Sequence, residues 1–167
     1  MVKIERSFPS PASLESEAKK VSGSYEQPDV VSRLRKDFHD KCYICELKNL
    51  QDPQVEHLLP HKNGKYPERK FDWNNLFWSC SHCNGIKNQK KYDDGIIDCC
   101  KNDPELMMTF KLKDGKTEIS AKDEHNSMAV RTALLIYESF NLLNTKDFRI
   151  KLEVNTVCIC IFSQCNV

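Results

Sequence analysis

The sequence predicts an α+β fold: a strand–strand–helix unit stapled by two cysteine pairs, with flanking helices and a second small β-hairpin. Three observations predict it. Cys42-x-x-Cys45 and Cys80-x-x-Cys83 repeat one spacing, two short apolar runs lie on either side of a polar loop between those pairs, and Lys113-Asp114-Gly115 separates two further strand-like runs.

Taken in order, residues 1–28 hold Pro9, Pro11 and Pro28 among many Ser and Glu. Their weak apolar periodicity predicts an arm outside the core, a candidate docking surface. Asp29 is placed to cap a helix over residues 30–40, where Val30, Val31, Leu34 and Phe38 recur at helical spacing. Residues 55–59 and 76–79 read as strands, joined by a loop holding Asn63-Gly64 and Pro67. A helix is expected from Cys83 or Asn84 through Lys90, broken by Asp93-Asp94-Gly95. The core unit therefore spans 29–92. A supporting segment, 93–153, holds the second hairpin (108–112 and 116–120) and a helix opened by Asp123 and reaching about residue 141. Residues 154–167 are apolar and cysteine-rich without turn or capping signals, and are left unassigned.

A chain of 167 residues, 40% hydrophobic with a mean hydropathy of −0.59, is expected to fold as one main soluble unit. No run approaches the roughly 18 apolar residues of a membrane span, and residues 1–11 lack the apolar stretch of a secretory signal, so no membrane association and a cytoplasmic location are expected. Nine cysteines, an odd count, fit a closed disulfide framework poorly. Cys99, Cys100, Cys158, Cys160 and Cys165 show no paired spacing and are expected as reduced thiols. Net charge is only +1, but from His57 to Lys91 seven basic residues stand against two acidic ones. Such a cluster suits phosphate groups and a plain solvated face equally well.

A Cys-x-x-Cys turn aims two sulfurs at one ion, and two such turns complete the tetrahedral thiolate shell that zinc prefers. Cys42, Cys45, Cys80 and Cys83 are accordingly expected to hold a structural zinc ion, the 34 residues between Cys45 and Cys80 forming a structured insertion. Two unrelated buried pairs are the bland alternative, and a redox pair is weaker because neither lies in a βαβ context. Four thiolates leave no open position for water, so chemistry has to come from other groups.

Those groups lie between and beside the knuckles: Glu56-His57-Leu58-Leu59-Pro60-His61, then Trp73-Asn74-Asn75-Leu76-Phe77-Trp78 running into Ser79-Cys80-Ser81-His82-Cys83-Asn84-Gly85-Ile86-Lys87. Over about residues 41–91 this resembles the HNH endonuclease superfamily, whose fold is a ββα-metal unit. The resemblance implies hydrolysis of nucleic-acid phosphodiester bonds, DNA foremost, with His57 as general base, a role suited to a side chain titrating near neutrality. It implies Glu56 and Asn84 as ligands of a catalytic Mg²⁺ or Mn²⁺, and Asn75 as the residue that fixes the hairpin loop and orients the base. Asn84 stands where the name-giving pattern has a second His, an HNN variant whose amide oxygen suits a hard cation better than a transition metal. Lys87, Lys90 and Lys91 on the following helix, with Lys62 and Lys65 in the loop, are the expected phosphate contacts. His61 and His82 are held open as further contacts. Trp73, Phe77 and Trp78 are expected to pack in the core, stacking on bases being the rival reading.

A narrower resemblance, on Phe71-Asp72-Trp73-Asn74-Asn75-Leu76, Ser79-Cys80, Cys83-Asn84, Lys87, Asp98 and Asp103-Pro104, extends over about residues 4–149. The sequence resembles the HNH nuclease subunit of Septu-type and certain retron-associated bacterial anti-phage systems. This implies an ABC/SMC-like ATPase as partner, supplied in trans because the chain has no P-loop. The alternative is a non-enzymatic zinc-knuckle subunit that binds nucleic acid or protein, with Glu56 and His57 incidental.

Overall fold

In the computed structural model, which describes residues 1–113 and 116–141, helices α1 (Ala12–Ala18) and α2 (Pro28–Asp37) precede strands β1 (Pro53–His57) and β2 (Leu76–Cys80) and helix α3 (Ser81–Lys87). A short helix α4 (Pro104–Met107) leads into strands β3 (Met108–Lys113) and β4 (Lys116–Ala121), and helix α5 (Ser127–Asn141) follows. The fold is α+β with two antiparallel hairpins. Among the described residues no helix is long and apolar enough to cross a membrane. The turn residues 114 and 115, everything beyond residue 141 and hence the segment 154–167 lie outside the described residues.

Helix α2 begins before the expected cap. Pro28 takes the first helical position, where its missing N–H costs nothing, and Gln27 is the N-cap. Asp29 instead lies in the first turn and accepts from the Ser13 backbone N–H and hydroxyl, tying α2 to α1. The helix stops at Asp37, and the positive φ of His39 (54°) and Asp40 (58°) turns the chain toward the first cysteine pair.

Strands β1 and β2 pair in the register Val55↔Trp78, Glu56↔Phe77 and His57↔Leu76. Every residue of β2 is buried, because α2 packs against it from one side and α3 from another. Phe77 lies 5.6 Å from Phe38 and 4.9 Å from Tyr43, ring centre to ring centre. Trp73, Phe77 and Trp78 are thus core residues, as expected. Helix α3 starts earlier than predicted because Cys80 is its N-cap: the Cys80 sulfur accepts from the Cys83 N–H at 3.4 Å. It also ends earlier, at Lys87, with a separate turn over Lys90–Tyr92.

Residues 1–28 do not form an arm apart from the core. Met1, Ile4 and Leu14 are buried in the same apolar cluster as Val30, Leu34 and Phe77. The reason is one side chain that apolar periodicity does not register. Arg6 lays its guanidinium 4.9 Å from the ring centres of both Trp73 and Phe77 and donates to the carbonyls of Trp73 and Leu76 at 2.8 Å each. A cation over aromatic faces with its terminal nitrogens on carbonyl oxygens can hold a polar segment against a core, even though Arg6 Nε is buried without a partner among the described residues.

The second hairpin runs from Met108↔Ala121 to Lys113↔Lys116, and α5 covers β4. Asp123 caps a turn through the His125 N–H, while Asn126 accepts from Ala129 N and opens the helix a few residues later than expected. Ala129, Ala133, Leu135 and Ile136 of α5 join the core.

Candidate active site and metal centre

Cys42, Cys45, Cys80 and Cys83 converge, their sulfurs all within 4.8 Å of one another and all buried. The first pair is held by Cys42 N–H donating to Leu47 O and Glu46 N–H donating to Cys42 O, both at 2.9 Å, and Tyr43 N–H fastens it to Trp78 O of β2 at 3.0 Å. The second pair is the start of α3. Burial raises the Cys42 thiol, but hydrogen bonds from Cys45, Cys80 and Cys83 hold it well below its ordinary range. Its neighbours Cys45 and Cys83 are pushed well above theirs, first by those same bonds to Cys42. A second thiolate beside the first needs a cation, and the four-sulfur shell fits a tetrahedral structural metal such as zinc.

A second site opens about one strand away, a cleft of about 280 Å³ whose walls include Glu56, His57, His61, Asn84, Lys87 and Asp93. His57 closes β1. Its Nε2 lies 3.1 Å from the Lys70 carbonyl oxygen, an acceptor only, so Nε2 carries the proton and Nδ1 is left as the basic nitrogen. Burial lowers the His57 pKa to about 4, against the backbone hydrogen bond, which raises it. The ring is therefore neutral at physiological pH. The ring of Tyr25 stands edge-on at 4.6 Å and that of His61 at 4.9 Å. His61 Nδ1 is buried without a hydrogen-bond partner among the described residues.

Asn75 sits behind this wall. Its Oδ1 accepts from Leu59 N–H at 2.8 Å, and its Nδ2 donates to the carbonyls of Leu59 (2.9 Å) and Arg69 (3.0 Å). Since the Lys70 carbonyl that holds His57 is the next peptide along, Asn75 braces the support of the histidine without entering the cleft.

Glu56 and Lys87 are placed differently from expectation. The Glu56 carboxylate is 4% exposed; Oε1 is 2.5 Å from the Lys87 ammonium, and Oε2 accepts from the Tyr43 hydroxyl at 2.6 Å. Lys87 also donates to the His57 carbonyl at 2.9 Å and is buried, so it is not an outward phosphate contact. Burial raises the Glu56 carboxyl above its usual range, with the Lys87 charge opposing. In this arrangement each carboxylate oxygen already has a donor, and Glu56 with Asn84 does not fit a divalent cation unless Lys87 withdraws.

Of the other lysines, Lys62 pairs with Asp93 at 2.8 Å, Lys91 pairs with Glu138 of α5, and Lys65 and Lys90 are exposed. His82, on the knuckle, faces α5 through the Ser139 carbonyl at 3.2 Å, away from the cleft. Sequence reasoning missed Asn88, Asp93, Tyr25 and Tyr43. Asn88 follows Asn84 by one helical turn and lines the same cleft, a spacing that was available to find it. Tyr25 gave no signal, because it lies in the segment read as an arm.

No family model matches the chain, and no curated protein matches it.

Proposed function

We propose that the chain is an HNH-type endonuclease that hydrolyses phosphodiester bonds, DNA foremost. The observation that carries this reading is the neutral, tautomer-locked His57 in the wall of a polar cleft. A general base needs an unprotonated nitrogen at working pH and a fixed ring; burial supports the first, and the Lys70 carbonyl with Asn75 behind it the second. His57 Nδ1 takes the proton of the attacking water, and Asn84, Asn88 and His61 surround the position where a phosphate would lie. Exposed Lys65 and Lys90 hold the flanking backbone by charge, without reading sequence. A divalent ion, once bound, would supply charge stabilisation to the phosphate. Action beside an ABC/SMC-like ATPase, in anti-phage defence, is proposed on the resemblance of residues 4–149 alone.

The alternative, a zinc-knuckle binding subunit without catalysis, has one observation in its favour: the closed Glu56–Lys87 pair. Plasmid DNA and single-stranded RNA incubated with Mg²⁺, Mn²⁺ or EDTA, with and without the ATPase, separate the two. The nuclease reading expects metal-dependent nicking, whereas tight nucleic-acid binding with no nicking under any condition supports the binding subunit.

A further inference from the structure

The connection between α1 and α2, residues 19–27, lies outside the strand–strand–helix unit, yet it supplies one wall of the cleft, the side chain of Tyr25. We infer that Tyr25 is a positioning residue for His57: its ring is a fixed wall that keeps the imidazole on the Lys70 carbonyl. The catalytic use of that positioning rests on the nuclease reading above, but the order of the imidazole can be measured without any cleavage.

The torsion that turns a histidine ring is soft and roughly two-fold, so an imidazole hung on one hydrogen bond still needs walls to hold a single orientation. His57 has that one bond, from Nε2 to the Lys70 carbonyl oxygen at 3.1 Å. Its walls are two rings. Tyr25 stands edge-on with 4.6 Å between ring centres and 79° between planes, and His61 stands at 4.9 Å and 68°. His61 belongs to the same connection that follows β1, whereas Tyr25 comes from a different part of the chain and is held there on its own account. The Ser24 N–H donates to Glu17 Oε2 at 3.0 Å, and Gly23 is packed so closely that a Cβ there would lie 1.9 Å from the Glu17 carbonyl oxygen. Lys70 then ties this turn to the histidine: its ammonium donates to the Gly23 carbonyl at 2.9 Å, while its own carbonyl receives His57 Nε2. Wall and hydrogen-bond acceptor are thus joined through one residue, and the imidazole has to fit both.

The experiment reads the order of the histidine rings by carbon-13 relaxation in the zinc-loaded full chain, comparing wild type, Tyr25→Ala and Tyr25→Phe, with single-turnover and steady-state cleavage on the same preparations. In the wild type and in Tyr25→Phe, which keeps the ring, the His57 order parameter is expected in the rigid range, about 0.85; in Tyr25→Ala it falls below about 0.6, while His82 on the knuckle is unchanged. Cleavage by Tyr25→Ala should lose about tenfold or more in kcat with KM within about twofold, and Tyr25→Phe should restore it. A His57 ring as ordered in Tyr25→Ala as in the wild type, or as loose in Tyr25→Phe as in Tyr25→Ala, overturns the proposal. Should Tyr25→Ala fail to fold, the wild type decides: rings 4.6 Å apart give cross-relaxation between Tyr25 and His57 ring protons, and its absence overturns the contact. The two readings fail separately. An unmoved His57 ring in Tyr25→Ala with His57-dependent cleavage removes the role of Tyr25 and leaves the nuclease standing, whereas a loosened ring with no such cleavage in any of the proteins supports the positioning and removes its catalytic use.

Discussion

The side-chain amide of Asn75 closes around the peptide groups of Leu59, accepting its N–H at 2.8 Å and donating to its carbonyl at 2.9 Å. A third bond, to the Arg69 carbonyl, ties the two ends of the long β1–β2 connection together. Asn75→Ala leaves three backbone groups without these partners. At about 1 kcal/mol each, the expected loss is about 3 kcal/mol in urea denaturation, with zinc content unchanged. Asn75→Asp keeps the acceptor but turns a carboxylate oxygen on the carbonyls of Leu59 and Arg69, and should cost at least as much. Cleavage should drop in both, because the Lys70 carbonyl that orients His57 loses its brace.

Gly23 lies where a Cβ would meet the Glu17 carbonyl oxygen at 1.9 Å, a backbone atom that cannot step aside cheaply. Its own carbonyl accepts from the Lys70 ammonium at 2.9 Å, and Tyr25 two residues on stands edge-on to His57. Gly23→Ala is therefore expected to destabilise the chain by roughly 1–3 kcal/mol, the usual range for overpacking, and to perturb the His57 ring resonances in NMR. A variant with wild-type melting and an unshifted histidine spectrum would show that residues 17–25 do not shape the cleft.

Metal removal tests the cysteine cluster. One zinc per chain is expected, and chelation or Cys80→Ser should release it and unfold the β1–β2–α3 unit, since binding free energy at such a site is folding free energy. A Cys80→Ser protein with native circular dichroism and no zinc would remove the assignment.

The depressed pKa of His57 makes stability depend on pH. The unfolded histidine takes up a proton below about 6.5, and the folded one only below about 4. Between those values the unfolded state binds more protons, so stability rises with pH: the contribution is complete above about 6.5 and is lost as pH falls toward about 4. The difference in unfolding free energy between wild type and His57→Gln should shrink over that window by up to about 3 kcal/mol at 1.36 kcal/mol per pH unit. A difference that is flat from pH 7 to pH 4 would mean that His57 is not buried as described.

Much of this was legible in the residues. Paired Cys-x-x-Cys spacing foretold the converging sulfurs, and the two short apolar runs on either side of the polar loop holding Asn63-Gly64 and Pro67 foretold the hairpin. What escaped was set by long-range polar contacts that leave no periodic trace. Arg6 reaches the carbonyls of Trp73 and Leu76 and draws a Pro- and Ser-rich segment onto the core. Lys87 has the spacing of a solvent-facing lysine, yet turns inward because Glu56 and the His57 carbonyl are there to receive it. Helix ends shifted for local reasons: a proline at the first position of α2 and a knuckle sulfur capping α3.

We propose that His57 is the base of a nuclease. The most direct test is single-turnover cleavage of supercoiled plasmid in Mg²⁺ or Mn²⁺ by wild type and His57→Ala, with zinc content and melting temperature matched and the ATPase present in a parallel set. Cutting by the wild type is expected, with a loss of at least a hundredfold in the variant, the scale of a missing general base. Equal cutting by both proteins, or none by either in any condition while zinc is bound and the fold is intact, would contradict it.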